Sequence, residues 1–190
     1  MASLFRLSKI LANRGICSRR EAEDWIRNGW IKVDDQIVSL ENSLFPLDVL
    51  VQISPVAIKK QSHCVTIALN KPVGWVSSQP EPGEIPAIKL LDLNNIYPNN
   101  IFPPFPKNTR SPQQLDKLVV VGRLDKDSRG LLLFTQDGRI AKQLVTDHII
   151  EKEYLVQVQG RITPPVLNRL RSGIQLDGKS LFQFYEDDHF

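Results

Sequence analysis

Residues 122–133 read Gly-Arg-Leu-Asp-Lys-Asp-Ser-Arg-Gly-Leu-Leu-Leu, and they put a guanidinium and a carboxylate two positions apart on one glycine-flanked turn. A carboxylate on a loop between two apolar strands is held by a rigid scaffold and stays open to a substrate. With Arg123 and Asp125 projecting from the same turn, the arrangement suits chemistry on an anionic ligand more than packing. The competing reading is structural, because aspartates in Gly-x-x-Asp-x-x-Ser turns commonly just hold the turn. Asp127 is a rival carboxylate in the same loop.

Two apolar segments flank this loop. Leu118–Val121 runs up to Gly122, and Leu131–Thr135 follows Gly130 with apolar residues on both faces, as a central strand would. Upstream, Val65–Asn70 has the composition of a buried strand and leads into a proline-glycine turn, Lys71-Pro-Val-Gly74, that ends at Ser77-Ser78. Downstream, Gln136-Asp-Gly138 turns the chain into a helix whose apolar face is Ile140, Ala141, Leu144 and Val145. Glu151–Gln159 alternates like a strand, with Tyr154, Val156 and Val158 on one face. Thr163 caps a helix with Pro164 at its first position and Gly173 just past its end. Ile174–Leu176 and Ser180–Phe182 then close as a hairpin around Asp177-Gly178. Eight of the thirteen prolines lie in residues 80–117, which predicts a long irregular surface loop. Strands and helices mix without a steady alternation, so the fold class is α+β.

The N-terminal third reads as a separate module. Leu7, Ile10 and Leu11 form one face of a short helix ended by Gly15. Ser18 and Glu21 have capping-box spacing at the start of a second helix, whose stripe is Ala22, Trp25 and Ile26 and which Gly29 stops. Ile31–Val33 and Gln36–Val38 flank Asp34-Asp35 as a tight hairpin. The domains expected are 1–53, a linker over 54–64 marked by Pro55 and Lys59-Lys60, and 65–190.

Net charge is only +3 across 190 residues, but its distribution is uneven. Arg6, Lys9, Arg14, Arg19, Arg20, Arg27 and Lys32 fall within the first 32 residues, against Glu21, Glu23 and Asp24. Such clustering predicts a surface facing a polyanion. The alternative is that these are solvated surface charges. No run is long enough for a membrane span, and the first residues lack a signal-peptide pattern. Cys17 and Cys64 are too few for a disulfide framework and lack metal-ligand spacing, so a cytoplasmic, metal-free protein is expected. Cys17 is expected to be a packing residue.

The string at 122–133 resembles the catalytic loop of the RsuA/RluB/RluE/RluF family of ribosomal RNA pseudouridine synthases, Gly-Arg-Leu-Asp-x-x-Ser-x-Gly-Leu-Leu. Asn70-Lys-Pro-Val-Gly-Trp-Val-Ser-Ser78 is similar to that family's Asn-Lys-Pro-x-Gly-x-x-Ser-Ser motif, and Lys152-Glu-Tyr154 to its Lys-x-Tyr. Arg6-Leu-Ser-Lys9, Gly15-Ile-Cys-Ser-Arg-Arg-Glu-Ala-Glu23 and Gly29-x-Ile-x-Val-Asp34 resemble the S4 RNA-binding domain. The fold implied is a small S4-like αα-hairpin module linked to a mixed, mainly antiparallel catalytic sheet.

The activity implied is isomerisation of a uridine in ribosomal RNA to pseudouridine, with Asp125 as nucleophile or base on the sugar. Arg123 is implied to serve the phosphate backbone or the gap left by the flipped base, and Tyr154 to stack on that base. Taken without the resemblance, Tyr154 reads as a core aromatic. RNA contacts are expected from Arg6, Lys9, Arg14, Arg19, Arg20, Lys32, Lys71 and Lys152. No cofactor is expected, the partner is ribosomal RNA, and the chain is expected to be a monomer.

The turn Lys71–Ser78 followed by Gln79-Pro80-Glu81 looks closer to the RluE/RluF branch, which favours 23S over 16S RNA. A further basic segment of the family, Gly-x-x-Arg-Gln-x-Arg-Arg, does not occur before Phe190, so the catalytic domain is expected to be truncated at its C-terminal side. The rival expectation is a non-catalytic ribosomal RNA-binding protein with a degenerate synthase domain.

Overall fold

A computed structural model describes residues 3–92, 95, 117–146, 150–176 and 179–180. The chain divides into two compact units, Met1–Glu151 and Lys152–Phe190. The first unit begins with β1 (Leu4–Arg6) and α1 (Leu7–Asn13), followed by α2 (Arg19–Arg27). Ser18 caps α2 as its spacing predicts: its hydroxyl accepts from the Glu21 amide at 3.2 Å, and the Glu21 carboxylate accepts from the Ser18 amide at 2.8 Å. Leu7, Ile10, Leu11, Ala22, Trp25 and Ile26 all enter one core. Cys17 joins them, and burial together with the nearby Glu21 charge pushes its thiol up to about 12. A thiol so placed is a packing group.

β2 (Ile31–Val33) pairs with β3 (Gln36–Ile37) and with β5 (Val51–Ile53), while β4 (Leu44–Pro46) pairs back onto β1. The β2–β3 turn has φ of 48° at Asp34 and 63° at Asp35. Two left-handed residues match the twist of a tight hairpin, and aspartate tolerates that region better than most side chains.

The expected linker is a helix instead. α3 (Pro55–Ser62) is capped by Ser54, whose hydroxyl accepts from the Val56 amide, and it buries Ala57 completely in the N-terminal core. The Gln61 side-chain Nε2 donates to the Ile16 carbonyl at 2.9 Å and fastens the helix to the same module. Pro55 has the chemistry of a breaker but stands at the first helical position, where its missing N–H costs nothing.

β6 (Thr66–Lys71), β7 (Val119–Val121) and β8 (Gly130–Thr135) form an antiparallel sheet in the order β6-β8-β7. β8 is central, as expected. Ile67 opposite Phe134, Leu69 opposite Leu132, and Val120 opposite Phe134 build one apolar face. Ala87, from a single 3-10 turn at Ala87–Leu90, and Leu118 complete that core. The second face differs from expectation, since Leu131 is 69% exposed and Thr66, Ala68 and Asn70 are exposed. Within 80–117 the described part contains no α-helix, and residues 93–94 and 96–116 lie outside the described residues.

α4 (Gly138–Thr146) follows β8 and packs on β7 and β8. Asp137, just before it, is buried and receives the Arg139 guanidinium at 2.7 Å, which holds its carboxyl below the ordinary range. The second unit holds α5 (Pro164–Arg171) and a short hairpin of β9 (Gln175–Leu176) with β10 (Lys179–Ser180). Thr163, Pro164 and Gly173 occupy their expected cap positions, although the Thr163 side chain makes no capping bond. Leu181 and Phe182, placed in the hairpin by the sequence, lie outside the described residues. Residues 151–158 are irregular and exposed rather than a strand. Alternation alone does not make a strand; a partner edge must supply hydrogen bonds, and among the described residues none pairs with this segment.

The N-terminal module meets α4 very closely. A Cβ on Gly138 would lie 2.2 Å from Ser18 Cβ, and the Lys142 ammonium donates to the Ala12 carbonyl at 3.2 Å. Gly138→Ala is expected to destabilise the chain by about 1–3 kcal/mol through overpacking. The cost should shrink in a Ser18→Gly background, which removes the opposing carbon; urea unfolding of the two single variants and the double variant measures that coupling.

Candidate active site

The loop between β7 and β8 leaves the sheet at Gly122, where φ is 82°, and rejoins it at Gly130, where φ is 133°. Between them Arg123, Asp125, Lys126, Asp127 and Arg129 are exposed. Neither Arg123 nor Asp125 makes a side-chain hydrogen bond or ion pair among the described residues. The two groups therefore share a turn without neutralising one another, and Asp125 presents its carboxylate to solvent. Asp127 is also exposed, so exposure does not separate the two carboxylates.

Asp125 is positioned through the backbone of its loop rather than through its own side chain. The Asp125 carbonyl accepts from the Ser128 amide at 3.1 Å and closes the turn. Downstream, the Lys126 carbonyl accepts from the Gly74 amide at 2.8 Å. Upstream, the buried Ser77 hydroxyl accepts from the Leu124 amide at 2.8 Å and donates to the Leu124 carbonyl at 2.6 Å. Both flanks of Asp125 are thus tied to the 71–77 turn. The register of β6 on β8 makes this possible: Lys71 stands opposite Gly130, so the end of β6 lies beside the loop that precedes β8.

Lys71 corrects the sequence reading. Expected to contact RNA, it is fully buried. Its ammonium donates to the carbonyls of Trp75 at 2.8 Å, Pro72 at 3.0 Å and Lys126 at 3.4 Å. An ammonium has three donors, and all three are used here. Burial lowers its pKa, while the carboxylates of Asp127 and Asp125 act in the opposite direction. Nothing in the local sequence separates a buried lysine from a surface one in a Lys-Pro-x-Gly turn. Glu84 was also missed: it receives the Lys126 ammonium at 3.2 Å and ties the 79–86 segment to the same loop.

The basic residues of the N-terminal module divide by role. Arg6, Arg19, Arg20 and Lys32 are exposed, without side-chain partners among the described residues. Lys9 lies over the Phe5 ring at 4.9 Å. Arg14 is also committed internally, since its guanidinium donates to the Leu47 and Val49 carbonyls at 2.7 Å each, joining the end of α1 to the β4–β5 turn. Lys9 and Arg19 line a groove of about 440 Å³ with Asn13, Ser18 and Lys142, so α4 adds a cation that the sequence reading did not include. In the second unit Lys152 is exposed and Tyr154 is 61% exposed, so Tyr154 is not a core aromatic within that unit.

Lys71→Met keeps the length of the side chain but leaves three carbonyls without their donor. It is expected to destabilise the chain by about 2–4 kcal/mol in urea unfolding. The salt dependence of RNA binding by the folded variant should match wild type, whereas a lysine that bound phosphate would take ~0.7 off the slope when removed.

Comparison with known proteins identifies the family. Residues 65–188 match the profile of a family described as RNA pseudouridylate synthase, and residues 5–43 match the S4 domain. An uncharacterised RNA pseudouridine synthase of Mycobacterium leprae is 34% identical over 178 residues, covering 93% of this chain and 63% of that protein. The dual-specificity RNA pseudouridine synthase RluF of Escherichia coli K12 is 34% identical over 180 residues, covering 93% of this chain and 54% of RluF. The chain therefore spans between about half and two thirds of the length of these curated relatives. A crystal structure of a pseudouridylate synthase aligns over 92% of this chain and 67% of its own, with a TM-score of 0.47 and 26% identity. On the match over 65–188, the chain belongs to the RNA pseudouridylate synthase family.

Proposed function

We propose that this chain acts on ribosomal RNA, isomerising a uridine to pseudouridine with Asp125 as the reacting carboxylate. The N1–C1′ bond of the target nucleoside breaks, the uracil turns while it is retained, and a C5–C1′ bond forms. N1 gains a proton and C5 loses one, so the product is an isomer of the substrate. The observation that carries the reading is an exposed Asp125, unpaired among the described residues, whose two neighbours are pinned to a second loop. A carboxylate held this way meets a sugar without first surrendering a partner or ordering its own backbone.

Arg123, exposed on the same turn, is placed in this reading on the RNA backbone or in the space vacated by the extruded base. Tyr154 is assigned to stacking on that base, an interaction worth about 1–3 kcal/mol. Arg6, Lys9, Arg19, Arg20 and Lys32 are assigned to phosphate contacts of the S4 module, and Lys152 to a contact near the target. A 23S target over 16S is part of this proposal, on the resemblance of the Lys71–Ser78 turn with Gln79-Pro80-Glu81 to the RluE/RluF branch. The second reading, RNA binding without catalysis, draws on the exposed and irregular course of residues 151–158.

Mapping pseudouridine in ribosomal RNA with the wild-type chain and with Asp125→Ala separates the two readings. Loss of one modified position with RNA binding retained is expected, and modification that survives the substitution rules out the catalytic assignment. Arg19→Glu with Arg20→Glu should weaken RNA binding and reduce the log–log salt slope by ~0.7 for each single-strand phosphate no longer neutralised. An unchanged slope would move the RNA-facing surface elsewhere.

A further inference from the structure

We propose that Ser77 is the positioning residue of the reacting loop, holding Asp125 in register through the backbone of Leu124. The inference rests on the reading of Asp125 as the reacting carboxylate. β7 ends at Val121, and among the described residues no strand runs alongside the chain beyond Gly122. Leu124 would then need new partners for its amide and carbonyl. Ser77 supplies both with one hydroxyl, which accepts from the Leu124 amide at 2.8 Å and donates to the Leu124 carbonyl at 2.6 Å. A hydroxyl is among the few side-chain groups that donate and accept through a single atom, so it can replace a short length of strand edge.

The anchor is itself buried and bonded on either side. Ser77 is 5% exposed, and its neighbour Val76 is bonded on both sides: its amide donates to the Ile85 carbonyl at 3.1 Å, and its carbonyl accepts from the Ala87 amide at 2.8 Å. Ala87 is fully buried in the core under the sheet, and Leu124 packs against the same core. Rigid contacts therefore run from that core through Val76 and Ser77 to Leu124, the residue between Arg123 and Asp125. The Lys71 and Gly74 bonds to Lys126 hold only the far side of Asp125. Without Ser77 the polar attachments that remain lie at Lys126, and the Leu124 backbone loses the two bonds that set the direction of the carboxylate. A misplacement of about 1 Å costs on the order of a hundredfold in rate.

Amide exchange and steady-state kinetics on the full chain test this. In wild type the Leu124 amide should be protected like the strand amides of β8, and exchange there as fast as at Asp127 overturns the proposal. Ser77→Ala should speed Leu124 exchange by at least about tenfold while the β6 and β8 amides stay protected. The same variant should lower kcat by about ten- to a hundredfold with KM for RNA unchanged, and Ser77→Thr, which keeps the hydroxyl, should restore both. Unchanged exchange or unchanged kcat in Ser77→Ala, or a rise in KM alone, overturns the proposal. If Ser77→Ala does not fold, wild-type exchange at Leu124 decides. A wild-type chain that protects Leu124 yet forms no pseudouridine defeats the catalytic reading of Asp125 instead, so the two failures are distinguishable.

Discussion

A single buried ammonium organises the end of the sheet that carries the Asp125 loop. Lys71 carries its charge into a fully buried position, and its three donors go to carbonyls of Pro72, Trp75 and Lys126. Burying a cation is costly unless every donor is met. The geometry of the Pro72–Trp75 turn and the place of the Asp125 loop are therefore coupled, because moving either one strands a charge. Lysine suits this role because its compact ammonium spreads three bonds over three directions, which a planar guanidinium could not.

The antiparallel register of β6 on β8 is what brings these groups within reach. Pairing Lys71 with Gly130 places the last residue of one strand beside the first residue of its neighbour. A shift by one residue would turn Ile67, Leu69, Leu132 and Phe134 out of the core, so hydrophobic burial protects the register on which the loop contacts depend. On the second face of β8 Leu131 is open, and only Thr135 and, opposite Leu133, Val121 are buried there.

The N-terminal module is joined to this sheet by contact rather than by a loose tether. α3 belongs to the module's core, and Gly138 at the start of α4 lies so close to Ser18 that no side chain fits between them. The capping box of α2 thus serves as a docking surface as well as a helix start. The cations Lys9 and Arg19 share a groove with Lys142 of α4 as a consequence of that docking. Much of the local structure was legible in the sequence. The Ser18–Glu21 capping box, the Asp34-Asp35 hairpin and the caps of α5 each depend on residues a few positions apart. So does the placement of Arg123 and Asp125 on one turn. The misreadings have a different cause. Pro55 reads as a breaker only when the helix around it is ignored. Residues 151–158 have the alternation of a strand but no edge to pair with among the described residues.

Residue types and short spacings by themselves determined which groups could do chemistry and where helices and turns begin, because caps, turns and alternation are short-range effects. Tertiary structure decided what each group is for. Arg14 became a clasp on carbonyls 33 and 35 positions away, Ser77 bonded a residue 47 positions away, and Lys71 reached a carbonyl 55 positions away. A charged side chain is the same chemical group on the surface and in the core. Only the chain brought against it from a distance determines whether it faces RNA or holds the fold together.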